Sequence, residues 1–576
     1  MPSKFGILFK ELKERGIIKN LFYYLLGAIG FLEGTFGVIL FFFPADAFWT
    51  IHKIGLSALI LCIAGIPIVG IVTWFHGKMG ENPITKMEVL LIATCIIIGG
   101  SLIGYIMHRP LPITLMARMM DPNKEWFEEN IIKEFEEGHN CNVITKTFDV
   151  ATQIYEKLKM EEQKTIKAGN VSLVKVPTHL TRILCEEGLL RSIEDTLDKS
   201  EIEDELNQIE GEFDGLALKR CYRKGITEEK KKLFYLPRKL ETRLMIYRKS
   251  KVADAAKNWR QYEALLNYIL KKENGYGLPM NFHLDSDVNM WDYYDILVAA
   301  YYWASTEKTG KVAHRSRDYV GTILGLIDRA TELGADEQDI KDMYPFSDAI
   351  IDMFHWEAIF RKYSLYCEGM WDQFGWTGLD IYNGIKEKNV YLAWMHQLDC
   401  VLIHGEEKLR TEGYIDDKED LGVAIMPQGV SFELTDEGIP KRLGTRQAHT
   451  YGWFWGIPER AAEPELAYHF AKFITNKASH LNECKNFLLI PVRKDVRDSF
   501  PNVLKLPWKK EIYDKSMEQL RINGEKLVPC FKTITDYQEF RHKYYDAFEE
   551  IVIKRRYSSE GPEGKVDRTF IRDNLR

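Results

Sequence analysis

The sequence predicts an α/β protein of two lobes joined by crossing strands and preceded by three transmembrane α-helices. Three observations lead there. Apolar residues are concentrated in the first 110 positions; short apolar strands then alternate with amphipathic helices; and Leu236-Pro-Arg-Lys-Leu-Glu-Thr-Arg-Leu-Met-Ile-Tyr-Arg-Lys249 reads as an extended segment passing from one lobe to the other. A chain of 576 residues exceeds what one hydrophobic core organises, so more than one domain is expected. Its net charge of −7, without a basic stripe, argues against nucleic acid as a partner.

Leu21 to Phe43, Ile54 to Phe75 and Val89 to Met107 are each long and apolar enough for a bilayer. The first holds Glu33, and the first two hold glycines and a proline, so these helices are expected to pack on one another. Lys4, Lys10, Lys13, Arg15 and Lys19 precede the first span, whereas the next loop carries only Lys53. Positive charge on the cytoplasmic side then sets the N-terminus inside and everything beyond Arg109 outside, a multi-pass inner-membrane topology. Phe5, Leu8, Phe9 and Leu12 recur at helical spacing, as in an interfacial amphipathic helix. The run Glu11 to Arg15, the spans and Trp74 to Lys78 resemble a small membrane module found ahead of periplasmic domains in some bacterial proteins. Residues 1–110 thus form the membrane part and 111–576 the extracytoplasmic domain.

After the stiff linker His108-Arg-Pro-Leu-Pro112, Ile113 to Met116 reads as a strand, Asn123 to Glu136 as a helix, Asn142 to Thr147 as a strand, Ala151 to Glu162 as a helix and Val171-Ser-Leu-Val-Lys-Val-Pro177 as a third strand. That alternation implies a parallel sheet, with ligand beyond the carboxyl ends of its strands, at the turns Met119 to Asn123 and Pro177 to Leu180. In the opening segment Pro237 bars a helix, and Arg238, Glu241 and Arg243 alternate with Leu240, Leu244 and Ile246. On a strand shared by two lobes these charges face the cleft. On an ordinary strand Glu241 would instead pair with Arg238 or Arg243.

The order of Ile113-Thr-Leu, Trp126 to Glu136, Val174-Lys-Val-Pro177 and Glu187-Gly-Leu-Leu190 resembles the first lobe of the extracellular solute-binding proteins of ATP-binding-cassette importers, in the group that includes maltose-binding protein. Leu236 to Lys249 is similar to that family's first crossing, His449-Thr-Tyr-Gly-Trp-Phe-Trp-Gly-Ile-Pro458 to its return crossing, and Gly384 to Met395, Pro464 to Ile474 and Leu489 to Arg493 to later elements. The resemblance implies a periplasmic-binding-protein fold. Lobe one comprises about 112–238 plus 451–500, lobe two about 244–450, and C-terminal helices 505–556. It also implies that Glu241 accepts hydrogen bonds from sugar hydroxyls. Tyr293-Tyr294 and Tyr301-Tyr302 raise the rival of ferric iron held by phenolates, as in iron-binding members of the broader family, although adjacent helical residues point about 100° apart.

Carbohydrate sites combine aromatic faces with polar groups for the hydroxyls. The expected ligand-binding set is therefore Glu241, Arg238, Trp291, Trp371, Trp376, Trp394, Gln397 and Trp453. Gly429 to Gly444 reads as a β-hairpin on the second lobe. No phosphate-binding loop, His-Glu-x-x-His or Gly-x-Ser-x-Gly occurs, so no catalysis, metal or cofactor is expected. The seven cysteines from Cys141 to Cys530 have no pairing spacing and are expected as buried free thiols. Together these features predict a membrane-anchored receptor that hands a small polar solute, most simply a sugar or oligosaccharide, to permease subunits of an importer. The alternative is a sensor signalling through the spans to a cytoplasmic partner.

Overall fold

The computed structural model describes residues 10, 12–14, 16–42, 48–76, 85–107, 110–119, 121–148, 152–163, 171–200, 202–225, 230–315, 319–342, 347–370, 376–406 and 412–574. Phe5, Leu8 and Phe9 of the amphipathic stretch, and Trp371, lie outside the described residues. Three helices, Ile17–Phe42, Phe48–His76 and Lys86–Met107, occupy the expected apolar stretches. Among the described residues only Leu56–Thr73 is a segment both long and apolar enough to cross a membrane, with shorter apolar segments at Ile17–Ile29 and Val89–Gly104. The first two helices run antiparallel: Asn20 donates to Thr73 Oγ1 at 3.3 Å and the Tyr24 hydroxyl to the Cys62 carbonyl at 2.7 Å. The Tyr24 ring fills the space where a side chain at Gly65 would stand, so this close approach requires glycine.

The strands in chain order are β1 (Leu111–Ala117), β2 (Cys141–Thr147), β3 (Leu173–Pro177), β4 (Leu190–Arg191), β5 (Tyr222–Arg223), β6 (Lys232–Leu233), β7 (Tyr235–Glu241), β8 (Arg243–Arg248), β9 (Val312–Ala313), β10 (Leu392–His396), β11 (Leu421–Ala424) and β12 (Tyr451–Pro458). One sheet has the order β2-β1-β3-β12-β4, with β7 also paired to β12; the other has the order β11-β8-β10-β9. β1 lies parallel to β2 and β3, as the alternating pattern predicts, but β12 enters antiparallel to β3 and β7. The reason is topological: β12 arrives from the second sheet and must traverse the first in the opposite sense. The predicted helix at Asn123 is continuous from Asp121 to His139 through a wide π turn, Glu128–Ile132. The hairpin at Gly429 to Gly444 forms as paired loops, with bridges Val430 to Leu443 and Leu434 to Pro440 rather than full strands.

The contiguous apolar core begins at Ile113 and ends at Ile571. All nine cysteines are free thiols, and the seven from Cys141 onward are buried.

β7 belongs to one sheet and β8 to the other, and Thr242 alone separates them. Its neighbours explain how such a junction holds. The Thr242 N–H donates to Gln397 Oε1 at 3.2 Å, and Gln397 Nε2 donates to the Leu240 carbonyl at 3.3 Å. Asn523, at the end of the helix Pro507–Asn523, donates through Nδ2 to Thr242 Oγ1 at 3.0 Å and to Thr450 Oγ1 at 3.4 Å. Its Oδ1 accepts from the Ala448 N–H at 2.9 Å and from Gln519 Nε2 at 2.7 Å. Gln397, Thr242, Thr450, Gln519 and Asn523 are fully buried, so one amide ties the outgoing crossing, the returning crossing and a C-terminal helix together out of reach of water.

Asn523→Leu keeps the volume but leaves the Ala448 N–H and the Thr242 hydroxyl without their partner. The expected loss is roughly 2–4 kcal/mol of unfolding free energy. Urea denaturation followed by tryptophan fluorescence measures it, and a variant within about 0.5 kcal/mol of the parent, well under that range, would remove this residue from its clamping role.

Candidate functional site

The ends of the parallel strands and both crossings converge on one cavity of about 190 Å³. Its wall comes from the end of β1, from β3, from β7 and β8 on either side of Thr242, from the start of β12, and from His396 with the helix Gln397–His404. The turns singled out by the strand pattern contribute Met119, Asn123, Pro177, Thr178 and His179. A space of this size, open to solvent on one side, is large enough for several waters or a small solute.

Charge dominates the lining. Glu241 is buried on β7, ion-paired with Lys239, and its Oε2 accepts from the Trp453 indole N–H at 3.0 Å. Burial by itself raises this carboxyl, but the Lys239 ammonium, aided by Lys175, outweighs it and holds the group at about 2. Lys175 points from β3, donates to the Arg118 carbonyl at 2.6 Å and lies over the Trp453 ring at 4.5 Å. Arg238 pairs with buried Glu483, and Arg243 pairs with buried Asp328 at 2.6 Å. Asp328 also accepts from the Tyr451 hydroxyl at 2.6 Å and from the His449 N–H at 3.0 Å. Asp399 accepts from the His396 N–H at 2.8 Å and from the Tyr382 hydroxyl.

Two histidines in the wall are neutral at pH 7. Burial, then the charges of Arg541 and Arg118, push His179 down to about 3; burial, then Arg243, pushes His396 to about 4. Asn123 Oδ1, His179 Nε2, His396 Nδ1 and Arg238 Nε and Nη1 are buried atoms of lining residues with no hydrogen-bond partner among the described residues. Buried polar atoms are normally partnered, so these lining residues keep bonding capacity that a small side-chain rotation would turn toward the cavity.

Of the expected ligand-binding residues, the structure brings Glu241, Arg238 and Trp453 to this cavity. Glu241 pairs with neither Arg238 nor Arg243, because Lys239, two positions away on the same strand, reaches it first. Gln397 lies outside the lining, with both ends of its amide bonded to the backbone of the crossing. Trp291 is fully buried in the second lobe, its indole N–H on the Asp285 carbonyl at 2.8 Å. Trp394 is buried on β10 under the Arg329 guanidinium, 4.8 Å from the ring centre, and lines a separate, much smaller void. Trp376 is half-buried against Gly384, away from the cavity. The Tyr293 and Tyr294 hydroxyls go separately to Glu332 Oε2 and the Phe432 carbonyl, each at 2.5 Å. Sequence reasoning missed Lys175, Lys239 and His396, and reached His179 only through the turn that holds it. Lys175 left a signal, a lone charge inside an otherwise apolar strand that is buried on both faces.

A family model described as bacterial extracellular solute-binding protein matches residues 130–510. No curated protein matches the chain. Among solved structures, maltose-bound MalE3 of T. maritima is similar at TM-score 0.56 and 16% identity, covering 81% of this chain and 99% of that one. The GacH receptor of Streptomyces glaucescens, solved unliganded and with acarbose, is similar at TM-score 0.53 and 13% identity, covering 81% and 98%. Lmo0181 of Listeria monocytogenes, an ABC substrate-binding protein in complex with cycloalternan, gives 0.54 and 13%, again over 81% and 98%. At these identities the likeness establishes the fold, two lobes about a cleft.

The depressed Glu241 pKa fixes the sign of a pH effect. An unfolded glutamate titrates at about 4.3, so the stabilisation from its charged form is complete above that value and is lost as pH falls toward 2. Glu241→Gln should therefore cost roughly 1.5–3 kcal/mol at pH 7. The gap between variant and parent should narrow steadily below about pH 4.3 in denaturation curves taken at stepped pH. A pH-independent gap would mean that the charge contributes nothing.

Proposed function

Because the chain belongs to the bacterial extracellular solute-binding protein family, we propose that it captures a small polar solute, a sugar or short oligosaccharide, between its lobes and delivers it to the permease subunits of an ATP-binding-cassette importer. The observation that carries this reading is the cavity on the crossing segment. Glu241 and Arg238 stand there on the strand that runs up to the hinge residue Thr242, and Trp453 on the returning strand, beside residues whose buried polar atoms lack partners among the described residues. Side chains on strands at the hinge meet the solute whether the lobes are open or closed, and closure about them excludes water from the bonds they make. Similar structures hold maltose, acarbose, tagatose and cycloalternan, which supports a carbohydrate-sized ligand.

The same reading anchors the receptor by its three N-terminal helices, with the N-terminus cytoplasmic and the large domain outside. Large apolar side chains exposed on these helices, among them Phe22, Leu26, Phe31, Ile63, Leu90 and Ile97, support that placement, since water is a poor solvent for such a surface and lipid a good one.

Thermal-shift screening of the full chain in detergent against neutral and charged sugars should find a stabilising solute. Trp453→Ala should then weaken its binding by roughly 0.5–1.5 kcal/mol, about twofold to tenfold, through loss of a ring in the wall. An unchanged calorimetric affinity in that variant would take the solute out of this cavity. Separately, a membrane-impermeant lysine reagent on intact spheroplasts should label the large domain. Labelling only after lysis would overturn the topology and with it the importer role.

A further inference from the structure

The charges around the cavity do not balance. Six cationic side chains line it, Arg118, Lys175, Arg238, Lys239, Arg243 and Arg315, against two carboxylates, Glu241 and Asp399. Glu483 and Asp328 stand behind Arg238 and Arg243 and neutralise them. Lys239 is matched by Glu241, and Arg315 approaches Asp399 at 3.8 Å. Lys175 and Arg118 remain. Among the described residues no acidic side chain pairs with either, and the Lys175 ammonium, on a residue 4% exposed, bonds only to the Arg118 carbonyl and faces the Trp453 ring.

A buried ammonium without a counter-ion is costly, and proteins normally pair such a group. Burial, then the neighbouring Arg238 and Lys239 charges, drive the proton affinity of Lys175 well down against the smaller opposing pull of Glu241 and Glu483, so the group holds its proton far more readily once an anion lies beside it. A cavity built for a neutral sugar would present aromatic faces and balanced polar groups. Here the aromatic lining is confined to Tyr451, Trp453 and Phe487, and the Trp453 ring already carries the ammonium.

We propose that the solute is an anion, a sugar bearing a carboxylate, phosphate or sulfate, whose charged group is received by Lys175 in the middle of β3 and Arg118 just beyond the end of β1. The sugar part of this inference rests on the receptor reading above; the charge part rests on the lining alone. Beside a lysine this buried, a carboxylate or phosphate at hydrogen-bond distance supplies a counter-charge and makes a charge-assisted bond to it. Selectivity against the neutral sugar follows, because that sugar leaves the ammonium unmatched.

The test is calorimetric titration of the full chain in detergent with matched pairs: glucose against glucuronate and glucose 6-phosphate, and galactose against galacturonate. The expected result is at least tenfold tighter binding of an anionic member than of its neutral partner, with the preference shrinking as salt is raised. The preference should fall to within twofold in Lys175→Gln, and should fall several-fold in Arg118→Gln, whose side chain is half-buried in the cavity wall. Neutral sugars binding as tightly as their anionic partners, or a preference unaltered in both variants, would overturn the charge inference while leaving the sugar reading in place. Binding of citrate or inorganic phosphate with the same dependence on Lys175, in the absence of binding by any sugar, would support the charge inference and discard the sugar. Failure of every anion to bind overturns it.

Discussion

Thr242 is the constraint on which the architecture turns. It joins a strand of one sheet to a strand of the other with no intervening loop, so any rotation between the lobes is concentrated in very few backbone angles there and at the return crossing by Thr450. A junction of bare backbone in an apolar interior would leave its polar groups unmet. Gln397 and Asn523 meet them, one from the second lobe and one from the C-terminal helix. The cavity owes its position to this clamp, since β7, β8 and the start of β12 reach it only because the two crossings are held side by side.

Around that junction the protein places charge where charge is expensive and then neutralises most of it. Arg238 with Glu483, Arg243 with Asp328 and Lys239 with Glu241 are buried pairs, and each would be severely destabilising if halved. Such pairs add little net stability over apolar residues of the same volume. What they provide is fixed direction: a guanidinium held by a carboxylate behind it keeps one orientation in the cavity wall, without the rotamer search a free arginine would undergo.

The strands and helices were legible because their signals are local. Ile113 to Met116, Val171 to Pro177 and Leu236 to Lys249 announce themselves by apolar runs and by a proline, and the structure has β1, β3 and the β7–β8 crossing there. The site was legible only in outline. Glu241 and Trp453 were found on the crossings, but the partner of Glu241 depends on which side of β7 each neighbour faces. The role of Gln397 depends on a hydrogen bond to a residue 155 positions away, and that of Asn523 on one spanning 281. Trp291 and Trp394 carry the same composition signal as Trp453; only tertiary packing decides which ring reaches the cavity and which is sealed in the second lobe.

The placement of β12 also governs how the chain is made. β12 is an interior strand of the first sheet, flanked by β3 and β4 and paired with β7, yet it follows the whole second sheet in the sequence. At ribosomal rates of about 5–20 residues per second, something on the order of 10–40 s separates the appearance of Glu241 from that of Pro458. During that interval the strands of the second sheet are already available to pair, while β3 and β7 wait with open edges. The lobe that begins first in the chain is therefore the one completed last, and its unpaired edges are the exposed surface a nascent molecule must protect until the return crossing arrives.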